Sequence, residues 1–150
     1  MSLIRLLPAW FHAIADYAVG ALLIVVPLAV GGSAGAVGTG IVVGVTVLVV
    51  SMLTRYPLGV VKVLPFTIHS AGDYLAAALL LIAPWALNFA SGDGGLTAFY
   101  VAGGIAVLAV SLITNYQYSP KAVSRHGLEP HRFLTPSSDA ADKDLVSLEA

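Results

Sequence analysis

The chain has 150 residues, 58% of them hydrophobic and 10% charged, with a net charge of −1 and a mean hydropathy of +0.90. A soluble domain carries about 25% charged residues; here nine of the fifteen charges fall in the last 34 positions, leaving Arg5, Asp16, Arg55, Lys62, Asp73 and Asp93 for the first 116. That excludes a soluble enzyme domain, a basic nucleic-acid-binding surface and, with no cysteine, a disulfide scaffold, so an integral membrane protein remains.

Four apolar runs follow in order, over residues 9–30, 37–54, 66–90 and 96–116. At 1.5 Å per residue, about 20 helical residues cross a ~30 Å hydrocarbon layer, and each run is close to that length. A membrane barrel needs alternating polarity, whereas Ile41-Val-Val-Gly-Val-Thr-Val-Leu-Val-Val50 is continuously apolar. In lipid a backbone must satisfy its own hydrogen bonds, which a helix does even with many β-branched residues. The expectation is an all-α bundle of four transmembrane helices.

Two glycine-rich turns, at 31–36 and 91–95, suit tight hairpins. Between the hairpins, the moderately apolar residues 57–64 are expected along the membrane surface. Residues 117–150 carry four basic and five acidic side chains and three prolines, which predicts a solvated, mostly irregular tail, with a short helix near 138–148 as an option. The chain thus divides into a first repeat (1–56), a linker with a second repeat (57–116) and the tail (117–150). Arg5, the apolar stretch and Ala34-Gly-Ala36 imitate a secretory signal. Asp16 interrupts its apolar core and the pattern recurs internally, so the first helix is expected to be retained.

That recurrence is the most specific feature. Ile4-Arg5-Leu6-Leu7-Pro8-x-x-x-His12-x-x-x-Asp16-Tyr17 is matched by Val61-Lys62-Val63-Leu64-Pro65-x-x-x-His69-x-x-x-Asp73-Tyr74, and Pro27 by Pro84, at an offset of 57. The match resumes at an offset of 60, where Gly44, Ser51, Thr54 and Tyr56 correspond to Gly104, Ser111, Thr114 and Tyr116. A three-residue insertion near the second outer turn accounts for the change. Each repeat crosses the membrane twice, so both copies enter it in the same sense, as in parallel duplications.

A hairpin repeat with proline near the end of its first helix, followed by an aromatic residue, resembles the SPW-repeat family of small bacterial integral membrane proteins. Ile82-Ala83-Pro84-Trp85 is similar to the family motif with Ala83 in place of serine, while Val26-Pro27-Leu28 keeps the proline alone. The resemblance covers residues 4–116 and implies a membrane location with no established activity.

The pairs His12/Asp16 and His69/Asp73 place an imidazole and a carboxylate one turn apart on one helix face. Ionisable residues inside a membrane suggest function by default. Here they fall near helix starts marked by Pro8 and Pro65, where a structural role at headgroup depth is the stronger expectation. A bis-histidine haem between His12 and His69, and a metal bound by the two pairs, are weaker alternatives. Pro27 and Pro84 would free the carbonyls of Leu23 and Leu80. Gly40-x-x-x-Gly44 is expected to pack inside its own chain. Trp10, Tyr56, Tyr116 and Tyr118 read as an interfacial aromatic belt.

Lys and Arg flank the first helix, the middle linker and the end of the fourth helix, and neither outer turn contains one. The positive-inside rule therefore expects both termini in the cytoplasm of a cell with an inner membrane. His12, Asp16, His69 and Asp73 would then share one depth with Ser51, Thr54, Ser111 and Thr114. A single cytoplasmic-side cluster is expected, with both aspartates turned inward and Tyr17 and Tyr74 flanking. The expected function is that of a non-enzymatic membrane protein with an accessory or structural role, its partners the lipid bilayer and a protein bound through the tail, with no nucleic acid. No catalytic, cofactor or metal residue is assigned. A channel or transporter component using the His/Asp cluster is the alternative, and a haem-binding electron carrier the third.

Overall fold

The structure, a computed structural model, describes residues 7–115. Four α-helices follow one another within them: α1 (Ala9–Val30), α2 (Ala34–Leu53), α3 (Phe66–Ala86) and α4 (Gly94–Ile113). Each spans 20 to 22 residues with a mean hydropathy between 1.4 and 2.3, enough to cross a bilayer. Large apolar side chains such as Val25, Leu28, Val42, Ile82, Trp85 and Ile105 are more than half exposed. A surface of this kind is stable against lipid and not against water. The chain is an integral membrane protein, an all-α bundle whose outer face contacts the bilayer.

The helices run up and down. Packing is tightest within each hairpin, α1 on α2 and α3 on α4; α2 also meets α3 and α1 meets α4, so α1 and α3 are diagonal. Small residues set the close approach within each hairpin. A Cβ on Gly44 would stand 2.7 Å from the Gly20 carbonyl oxygen, and one on Gly104 would stand 3.0 Å from that of Ala77. A Cβ on Gly40 would collide with the Leu23 carbonyl oxygen, which Pro27 leaves without its helical donor, and with the Pro27 ring. The Gly40-x-x-x-Gly44 stripe therefore packs against α1 of its own chain.

The helix ends explain where the expected runs move. Ser33 caps α2 by accepting from Ala36 N–H at 3.2 Å, so α2 begins at Ala34, three residues earlier than expected. α3 stops at Ala86, four residues short of the apolar run. Asn88 adopts a left-handed φ of 56°, Phe89 N–H donates to Pro84 O at 3.0 Å, and Asn88 N–H donates to Trp85 O at 3.2 Å. That is a Schellman ending, which satisfies carbonyls the apolar pattern cannot reveal. The linker folds back over α2, with Val60 and Val61 N–H donating to Met52 O and Val63 and Leu64 N–H to Leu53 O. Its Leu58, Val60, Val61 and Val63 side chains are exposed.

Two short parallel bridges join helix ends. Leu64 N–H donates to Leu53 O at 2.8 Å and Arg55 N–H to Leu64 O at 2.9 Å, tying the end of α2 to the start of α3. Leu7 N–H donates to Ile113 O at 3.0 Å and Asn115 N–H to Leu7 O at 3.1 Å, tying the end of α4 to the start of α1. These are the same bonds at the offsets of 57 and 60, so the end of each hairpin is sewn to the start of the other. The tail, Tyr116 and Tyr118 lie outside the described residues.

Candidate functional site

The bridges bring the starts of α1 and α3 face to face. His12 and Asp16 on α1, and His69 and Asp73 on α3, each a turn apart, all point toward the bundle axis. Both histidines are 1% exposed, Asp16 9% and Asp73 8%. Asp16 places Oδ1 3.4 Å from His12 Nε2 and Oδ2 3.1 Å from His69 Nε2. Asp73 places Oδ1 3.2 Å from His69 Nε2 and Oδ2 3.2 Å from His12 Nε2. Each carboxylate spans both imidazoles, so the four side chains close a ring with two contacts inside a hairpin and two between hairpins.

The other imidazole nitrogens are held by threonine. His12 Nδ1 lies 2.9 Å from Thr114 Oγ1, and His69 Nδ1 lies 2.9 Å from Thr54 Oγ1. Each threonine hydroxyl donates its proton to a carbonyl one turn back, Val110 O and Val50 O, at 2.7 Å. With that proton committed, each threonine oxygen accepts, and each Nδ1 must donate its N–H. Nδ1 therefore carries a hydrogen, and Nε2 is the atom turned to the carboxylates, to which it donates when the ring is an imidazolium. Each threonine ends the hairpin opposite to its histidine.

Aromatic side chains close the cluster at this end. Phe66 sits with its ring centroid 5.7 Å from both imidazoles, and Tyr56 lies 5.5 Å from His69. Tyr56 is fully buried and donates its hydroxyl to Asp16 Oδ2 at 3.3 Å. The belt assignment is therefore corrected at Tyr56, which the linker folds inward, whereas Trp10 is 54% exposed. Burial pushes the Tyr56 phenol above its ordinary range; the neighbouring Asp16 carboxylate acts in the same sense and Ser51 in the opposite one. It stays a donor.

The remaining candidates are placed as follows. Ser51 and Ser111 are fully buried one turn before the threonines. Tyr17 donates to Leu58 O at 3.1 Å, reaching the linker, and Tyr74 is half-buried at the equivalent site on α3. Among the expected hydroxyls, Thr54 and Thr114 bond the imidazoles, whereas the carboxylates meet the histidines and the Tyr56 hydroxyl. Pro27 and Pro84 are buried, Trp85 is 59% exposed, and all three belong to the far ends of α1 and α3. Two cavities reach the tetrad. One of about 50 Å³ opens between α1 and α4 onto His12, Asp16, Asp73 and Ser111. The other, of about 250 Å³, opens between α2 and α3 onto His69 and Asp73.

A haem does not fit between the histidines. Their ring centroids are 5.5 Å apart, both Nε2 atoms face carboxylates, and both Nδ1 atoms face threonines. No nitrogen is left facing a gap that a porphyrin plane would fill.

The far end carries a second polar tie, which the sequence patterns do not single out. Ser33, the cap of α2, donates through Oγ to Asp93 Oδ2 at 2.6 Å and through its N–H to both carboxylate oxygens at 3.2 Å. Asp93 is itself the cap position of α4, so one carboxylate sits between two positive helix ends. Nearby, Tyr100 donates to Ala36 O at 2.6 Å.

No protein-family model, curated protein or solved structure matches the chain.

Proposed function

We propose that this is a small non-enzymatic membrane protein of SPW-repeat type, an internally duplicated pair of hairpins whose His/Asp tetrad serves as the structural clasp between them. The observation that carries the reading is the exchange of partners. His12 bonds Thr114 and lies 3.2 Å from Asp73, and His69 bonds Thr54 and lies 3.1 Å from Asp16, so both imidazoles are held from the opposite hairpin. An aspartate left facing lipid without a partner is unfavourable, which makes separation of the hairpins costly. The position-by-position equivalence of these contacts supports a duplication; Pro84-Trp85 and the hairpin repeat support the family resemblance. The distribution of Lys and Arg supports cytoplasmic termini, and the family resemblance supports a bacterial inner membrane.

Thermal unfolding of the detergent-solubilised protein tests the clasp. Asp73→Asn retains a hydrogen-bonding side chain, whereas Asp73→Leu leaves both imidazoles short of an acceptor. The clasp predicts a much larger loss of stability for leucine than for asparagine, and equal small losses would contradict it. A channel or transporter component is the second reading, favoured by the two cavities that both reach Asp73. It predicts ion or proton flux in proteoliposomes that Asp73→Asn abolishes without unfolding the protein.

A further inference from the structure

We propose that the tetrad is a binding site for one divalent first-row transition-metal ion, of the zinc class, held by His12 Nε2, His69 Nε2 and one oxygen each of Asp16 and Asp73. This goes beyond the clasp and departs from the sequence reading, which assigns no metal.

Donor geometry is the first support. One donor atom from each of the four buried residues lies within 4.8 Å of all the others. A tetrahedral ion with bonds of about 2.0–2.2 Å needs donors about 3.3–3.6 Å apart. Each Nε2 already has one oxygen of each carboxylate at 3.1 to 3.4 Å, near that length, although the two nitrogens meet different oxygens of each aspartate. Rotating each carboxylate to present one oxygen is the adjustment required.

The imidazole tautomers are the second. A histidine that binds metal through Nε2 donates its Nδ1–H to an outer acceptor, which fixes the ring and raises its basicity. Thr54 and Thr114 are such acceptors at 2.9 Å, each locked in that role by its own bond to Val50 O or Val110 O.

Charge is the third. Two carboxylates brought into a low-dielectric bundle need two positive charges beside them. One divalent ion with two neutral imidazoles supplies them and leaves the site neutral, taking the place of the two imidazolium protons of the metal-free clasp. Two nitrogens with two oxygens suit zinc, cobalt, iron or manganese better than calcium or magnesium, which favour all-oxygen shells. With no cysteine in the chain, a thiolate site for copper(I) is excluded.

The test uses the full chain in detergent, with His126 and His131 of the tail replaced by Asn so that no other imidazole competes. The protein is treated with chelator and titrated with Zn²⁺ and with Co²⁺. The site predicts one equivalent of either ion per chain, and intense visible absorption for Co²⁺, as four-coordination gives. Thr54→Val should weaken Zn²⁺ binding by roughly 10–100-fold, the cost of a lost supporting hydrogen bond. His69→Gln and Asp73→Asn should each weaken it further. Should a ligand variant fail to fold by circular dichroism, Thr54→Val, which keeps all four donors, carries the comparison. No stoichiometric ion on the folded protein, a weak six-coordinate Co²⁺ spectrum, or equal affinity in every folded variant would overturn the proposal. None of those results touches the clasp, because the Asp73→Asn and Asp73→Leu comparison is made without added metal.

Discussion

Tyr100 occupies the station in the second hairpin that Gly40 occupies in the first, and the phenol of one fills the space left by the missing side chain of the other. A Cβ on Gly40 would lie 2.7 Å from Tyr100 Oη, which donates to Ala36 O at 2.6 Å. Near the far end, away from the tetrad, the two hairpins are thus complementary and not identical, one supplying the knob and the other the hole.

Gly40→Ala should therefore destabilise the protein by about 1–3 kcal/mol, the usual cost of overpacking a filled interior. Gly38→Ala on the same helix is the control, because a Cβ there meets nothing within 4 Å. Thermal unfolding in detergent compares the two. Equal melting temperatures would show that Gly40 is not under the constraint described.

Tyr56→Phe removes the donor to Asp16 Oδ2 while keeping the ring that packs on His69. A loss of about 1–2 kcal/mol is expected, near the range for a hydrogen bond to a charged group. The pH dependence has a fixed sign. Burial raises the phenol pKa in the folded state, so the wild-type advantage is fully present below the ordinary tyrosine pKa of about 10 and shrinks as pH rises above it. Denaturation of both proteins from pH 7 to pH 11 checks this. An advantage that grows above pH 10 would contradict the placement of Tyr56.

Asp93→Ala should cost about 0.5–1.5 kcal/mol, since Ser33 loses the acceptor for its hydroxyl and its N–H. Asp93→Asn keeps an acceptor oxygen and should lose less. Melting curves in low and high salt separate the charge contribution, which salt screens.

The orientation proposed from Lys and Arg has its own check. Single cysteines at Ser91, in the exposed α3–α4 turn, and at Val61, exposed in the linker, lie at opposite ends of the bundle. An impermeant thiol reagent added to intact cells should label the first and spare the second. The reverse pattern would invert the topology.

The helices were legible because lipid permits little besides a long apolar helix, and α1 begins and ends where its apolar run does. The end of α3 was not, because the Schellman turn at Asn88 depends on backbone conformation and not on polarity. The repeat pointed to His12, Asp16, His69 and Asp73 as one group, since equivalent residues on parallel copies share a depth. Their wiring was hidden. Which oxygen meets which nitrogen depends on the crossover of partners created by the Leu7–Thr114 and Thr54–Leu64 bridges, short-range pairings with no pattern of their own. Tyr56 was misplaced for a related reason. A tyrosine beside a membrane helix reads as interfacial until the linker is seen to fold back over α2. Ser33 with Asp93 left a signal that could have been used, because they are equivalent at the offset of 60 and both stand before a helix.

A double-mutant cycle on Asp16 and His69 tests the central claim, that the two hairpins are joined through the tetrad, most directly. These residues sit on different hairpins with Asp16 Oδ2 3.1 Å from His69 Nε2. Unfolding free energies of the wild type, Asp16→Asn, His69→Gln and the double variant are measured in one detergent. Coupled neighbours in one network typically show about 0.5–3 kcal/mol of interaction energy, and a value above about 1 kcal/mol is predicted here. Additivity within about 0.3 kcal/mol, the behaviour of distant and independent sites, would contradict the account.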